Sequence, residues 1–131
     1  MALDYFFHIR AAGQALSREL VCDALVRGVR LRSSQDFLLG EHIQVSVLPP
    51  EDWRPLRVAI RIDKWNPYQA EDEMLGVVLH LVDRFQPDAQ LSFEGEVEIL
   101  TVAEGRISPN EKENEEFWTA SRLARLDPRR R

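Results

Sequence analysis

The side chains of this chain that could carry chemistry are three histidines, one cysteine, seven serines and a run of glutamates near residue 96. His8 and His42 fall in segments that read as strands and His80 in a long helix. His80 and Asp83 share a helix face at i, i+3, but the pair has no third ligand and does not match zinc spacing, so each histidine reads as a solvated or core-edge residue. Ser17, Ser33, Ser34, Ser46, Ser92, Ser108 and Ser121 stand in no G-x-S-x-G context, and there is no glycine-rich phosphate loop. Glu94, Glu96 and Glu98 invite an acid–base reading, yet a hairpin with a polar outer face accounts for them without one. The lone Cys22 excludes an internal disulfide and the four-cysteine zinc frameworks, and inside a helix it is expected to be buried and inert. Catalysis is therefore disfavoured, and no metal or cofactor is expected.

Those residues are positioned by elements that the hydrophobic periodicity marks out. RVAIRID (57–63) alternates Val58, Ile60 and Ile62 with Arg57, Arg61 and Asp63, the period of a strand with one buried face. Asn66 is placed to cap the next helix, with Pro67 at its first position and Gln69 as the return half of a capping box. Met74, Leu75, Val78, Leu81, Val82 and Phe85 recur at helical spacing, and Pro87 ends the run. AQLSF and EVEILTV flank Glu94 and Gly95, a hairpin signature, and Glu104 and Gly105 mark another turn before Ile107. Upstream, residues 3–11 read as an aromatic-rich strand, Ser17 caps a short helix ending at Gly28, residues 29–36 form a polar connection, and Ile43, Val45 and Val47 make a strand face. The order β-α-β-β-α-β-β predicts an α+β fold, a mostly antiparallel sheet with two helices packed on one face. A short C-terminal helix or tail follows. Residues 1–126 are expected as a single domain and 127–131 as a frayed basic tail.

The net charge of −5 is unevenly spread. Residues 1–66 hold nine Lys/Arg and eight Asp/Glu, whereas 67–128 hold five and fourteen. An acidic second half argues against nonspecific nucleic-acid binding and suits a basic protein partner. With no secretory signal and no membrane span, the chain is expected to be cytoplasmic, and a monomer or weak dimer.

The words IRIDKWN, EDEMLGVVLHLV, DAQLSFEGEVEILTVAEGRI and EFW resemble the C-terminal half of the third type of swarming-inhibition-toxin immunity proteins. The matching positions are Ile62, Asp63 and Lys64; Met74, Leu75, Val77 and Val78; Asp88 and Ala89; Gly95 and Glu96; and Trp118. Glu94 departs from the Asn expected in that hairpin. The resemblance implies a small protein that protects a cell by binding a cognate toxin protein, and it brings no catalytic residues. Two other readings are an adaptor or secretion chaperone, and a small enzyme whose site is assembled from distant residues. For binding, Trp53 and Trp65 are the candidate aromatic anchors, either of which would otherwise seal the core. Arg57, Arg61, Asp63, Glu71, Asp72, Glu96 and Glu98 are the candidate charged contacts. Cross-strand ion pairs between the strand at 57–63 and the hairpin strand are the plainer explanation for several of them.

Overall fold

A computed structural model describes residues 3–51, 54–127 and 129. The elements run β1 (Leu3–Ala11), α1 (Arg18–Gly28), β2 (Arg32–Ser33), β3 (Leu38–Leu39), β4 (Ile43–Leu48), β5 (Leu56–Ile62), α2 (Pro67–Phe85), β6 (Asp88–Phe93), β7 (Val97–Ala103), β8 (Arg106–Pro109) and α3 (Ala120–Leu126). The strands form one sheet in the order β2-β3-β4-β5-β1-β6-β7-β8, and every neighbouring pair is antiparallel. The fold is α+β as expected, with strands β2, β3 and β8 and helix α3 completing it. β2 replaces part of the expected polar connection at 29–36, and β3 lies just after it. At two residues each they are too short for a period-two pattern to show.

One face of the sheet carries the core. Tyr5, Phe7 and Ile9 on β1, Val45 and Val47 on β4, and Val58, Ile60 and Ile62 on β5 are all buried, while the alternate residues are partly or fully exposed. The helices cover that face, α1 near β4, α2 across the middle, and α3 beside α2. The expected α2 stripe of Met74, Leu75, Val78, Leu81, Val82 and Phe85 is buried, and Val77 and Leu79 join it because α2 has a helix on each side. Gly28 allows the α1–α2 approach, since a Cβ there would sit 1.9 Å from His80 Nε2.

Local signals held unevenly. Ser17 Oγ accepts the Leu20 N–H at 3.1 Å, as a cap should. Both hairpins turn through a Glu-Gly pair with φ positive at both residues, 52° and 76° at Glu94 and Gly95, 53° and 78° at Glu104 and Gly105. That is the type I′ geometry matching strand twist. Asn66 does not cap α2 through its side chain; its Nδ2 donates instead to Asp63 Oδ2 at 3.0 Å. Cys22 is only half-buried, a correction to the inert-core reading, and burial still pushes its thiol pKa up. Arg129, expected in a loose tail, donates from Nε and Nη2 to the two carboxylate oxygens of Asp83, each at 2.6 Å.

Candidate functional site

The chain turns from β5 into α2 through Asp63–Asn66, and one carboxylate organises that corner. Asp63 Oδ1 accepts the Trp65 backbone N–H at 2.9 Å, and Oδ2 accepts Asn66 Nδ2. These two donors, Asn66 first, hold the Asp63 carboxyl below its usual pKa. The Asp63 N–H donates to the His42 carbonyl at 2.9 Å, tying the corner to the start of β4. The result is a stiff turn that points an indole outward. Trp65 is 81% exposed, with Lys64 Nζ 5.0 Å from its ring centroid, and Tyr68 on the first turn of α2 is 53% exposed. Of the two alternatives for Trp65, sealing the core is thus excluded. Beside it a cleft of about 460 Å³ opens between the Leu39–Gln44 segment and Arg61–Trp65. Trp53 lies outside the described residues.

The expected ion pairs between Arg57, Arg61 and Asp63 on one strand and Glu96 and Glu98 on the other do not form. β1 is inserted between β5 and β6, so β5 and β7 are not neighbours. Arg61 Nε donates to Asp4 Oδ1 of β1 at 3.0 Å instead. Asp63 lies past the end of β5 and Glu96 in the β6–β7 turn. Glu98 faces Ser92, and its backbone carbonyl accepts from the side chains of Asn110 and Asn114. Arg57 sits near the start of β5, opposite His8 and Leu48, and its Nε is buried without a hydrogen-bond partner. Burial, with Arg57 and Arg10 adding to it, lowers the His8 pKa.

Glu71 and Asp72 are engaged inside the fold. Both bind Arg122, whose side chain is 1% exposed: Nε donates to Asp72 Oδ1 at 2.8 Å and Nη1 to Glu71 Oε1 at 3.4 Å. The same guanidinium donates to the carbonyls of Phe117 and Tyr68, each at 3.0 Å, and lies between their rings at 4.8 and 4.6 Å. Glu71 Oε2 also accepts the Tyr5 hydroxyl at 3.1 Å. Burial, then Glu71, pushes the tyrosine pKa far up. Sequence reasoning missed Arg122. Its signal was there, an arginine one helical turn before the core residue Leu126 and soon after Phe117 and Trp118.

Register and connectivity place several of the candidates at one end of the sheet. β5 ends and β1 begins there, since Leu3 pairs with Ile62. The Glu94–Glu96 turn is there too, because Tyr5 pairs with Phe93 and the Glu94 N–H donates to the Asp4 carbonyl. Arg61, Asp63, Trp65, Glu71, Asp72 and Glu96 share this end, with Tyr68 among them. Arg57 is four residues upstream of Arg61, roughly 13 Å along the strand. Among the described residues no three His, Cys, Asp or Glu side chains are grouped to hold a metal ion, and no helix is long and apolar enough to cross a membrane.

A family model described as SitI3-like matches residues 27–122. No curated protein and no solved structure gives a significant match.

Proposed function

Because the chain belongs to the SitI3-like family, whose members the name ties to immunity against a toxin, we propose that it binds a cognate bacterial toxin one to one and neutralises it by covering the active site or the path of the substrate. The work is done by binding, with no reaction on the immunity side. The observation that carries this reading is the 81% exposure of Trp65 on a hydrogen-bonded turn. A large rigid aromatic held in solvent supplies the apolar area that interfaces concentrate in a few anchors. The charged contacts are Arg61, Asp63, Glu96 and Glu98, with Glu71 and Asp72, which also hold Arg122 and Arg125; Arg57 contributes at the far end of β5 and Trp53 as a second anchor. The protein acts in the cytoplasm as a monomer or weak dimer, away from nucleic acid and membranes.

The test is titration calorimetry against the cognate toxin domain. Trp65→Ala is expected to weaken binding by about 30-fold, the loss of one hot spot of about 2 kcal/mol. Its melting temperature should stay at the wild-type value, because the indole makes no core contact to lose. Equal affinity for wild type and variant would remove the anchor, and no binding by wild type would remove the function.

A further inference from the structure

At the same end of the molecule a second cleft, of about 490 Å³, lies between the sheet and the segment 112–117. Its floor is apolar. Tyr5 and Phe93 rings meet there with centroids 5.0 Å apart, and Val97 adds a side chain left 37% exposed. Its rim is acidic: Glu113, Glu115 and Glu116 stand along the outer wall with Lys112, and Glu71, bonded to Arg122, lies at the back. The wall is fixed in place. Asn114 Nδ2 donates to the carbonyls of Glu98 at 2.7 Å and Asn110 at 2.9 Å, and Trp118 Nε1 donates to the Ile99 carbonyl at 2.9 Å.

An apolar floor under a carboxylate rim matches one kind of group, a cation on a hydrocarbon stem. The carboxylates surround the floor and do not converge, and among the described residues they form no metal-holding cluster. We propose that this cleft seats an arginine or lysine side chain projecting from the protein partner, its methylenes on Tyr5, Phe93 and Val97 and its head group among Glu71, Glu115 and Glu116. Long basic side chains bury their stems in this way while keeping the charge at a polar rim. Continuity supports a macromolecular occupant. Tyr68, exposed on α2, stacks on the same Arg122 that binds Glu71, and the exposed Trp65 lies at the same end of the molecule as the cleft. Shape and charge thus assign a basic residue of the partner to a site beside the tryptophan anchor. The proposal rests on the toxin-binding reading for the partner's identity, and on the cleft alone for its chemistry.

The experiment separates the two. Hexylguanidinium, a stem and a cation with no protein attached, is titrated into the full chain and followed by amide chemical shifts, with hexanol as the uncharged twin. Saturable shifts confined to Phe93, Val97 and residues 112–117 are expected, at least about fivefold tighter than for hexanol, a difference of about 1 kcal/mol. Glu115→Gln with Glu116→Gln, both exposed and remote from the core, should remove that preference. Shifts scattered over the acidic surface, or equal for the two probes, would overturn the proposal. Against the toxin, Glu115→Lys with Glu116→Lys should slow association and weaken affinity at least about tenfold. Full affinity in that variant would overturn the assignment to the partner while leaving toxin binding intact. A cleft that takes hexylguanidinium in a chain that does not bind the toxin would instead remove the toxin and keep the cation site.

Discussion

Replacing Arg122 with Met keeps most of the side-chain volume and removes every hydrogen bond that the guanidinium makes. The carbonyls of Tyr68 and Phe117 each lose a donor, Phe117 keeping the Thr119 N–H, while Glu71 loses its cation and Asp72 keeps only Arg125 at 3.8 Å. Breaking a buried pair by deleting one partner costs about 3–5 kcal/mol. Here the carboxylates are 22% and 40% exposed, so water takes up part of the loss and the low end applies, about 3 kcal/mol. For a domain of this size that lowers the melting temperature by roughly 10 °C. Urea unfolding of both proteins at pH 7 reads the difference directly, and the slope against urea should not change. Arg122→Lys should recover only part, because an ammonium cannot serve two carbonyls and two carboxylates in one plane. An Arg122→Met midpoint within about 1 kcal/mol of wild type would show that packing of α3 and the rings, not the charged hub, holds this region.

Gly40→Ala should cost about 1–2 kcal/mol by denaturation, because a Cβ there would lie 2.3 Å from Glu73 Oε2 and push away the carboxylate that accepts the Glu41 and His42 N–H groups. Asp83 has its pKa lowered, first by the Arg129 hydrogen bonds; a depressed folded pKa means stability that is complete above about pH 4 and lost as pH falls through the folded value. Asp83→Asn should therefore flatten the acid limb of a plot of urea midpoint against pH, and an unchanged limb would refute the pair. Reversing Glu96 and Glu98 to Lys should mainly slow association with the toxin and make it less salt-sensitive, since charges beyond about 8 Å are screened at physiological ionic strength; stopped-flow rates indifferent to both would remove steering by this face.

The fold was most readable where a single segment carried its own evidence. The apolar stripe of α2 and the two Glu-Gly turns depend on neighbours within a few residues, so periodicity and turn chemistry found them. The corner at Asp63 was harder, because Asn66 had two local partners to choose between and bonded the carboxylate. Strand order was beyond reach: that β1 enters between β5 and β6 depends on pairings such as Leu3 with Ile62, which leave no mark on either segment alone. That insertion is also why the charged candidates on β5 met β1 residues and not the hairpin. For the site, exposed Trp65 was legible as one of two outcomes, whereas the cleft needed residues 3, 71, 93–99 and 112–117 brought together.

The place of β1 also sets a timetable. It is one of the two central strands of the sheet and precedes both of its partners in the chain, with β6 completed only at Phe93. At a synthesis rate of 5–20 residues per second, a ribosome takes roughly 4–16 s between making β1 and making β6. Until β5 is complete at Ile62, Tyr5, Phe7 and Ile9 belong to a strand with two open edges, and one edge stays open until β6 is made, the form in which nascent chains associate with one another. Its pairings span much of the chain, so folding after release is slow for its length. On the toxin-binding function proposed above, protection comes from the molecules already finished, and a burst of new synthesis adds to it only after that delay.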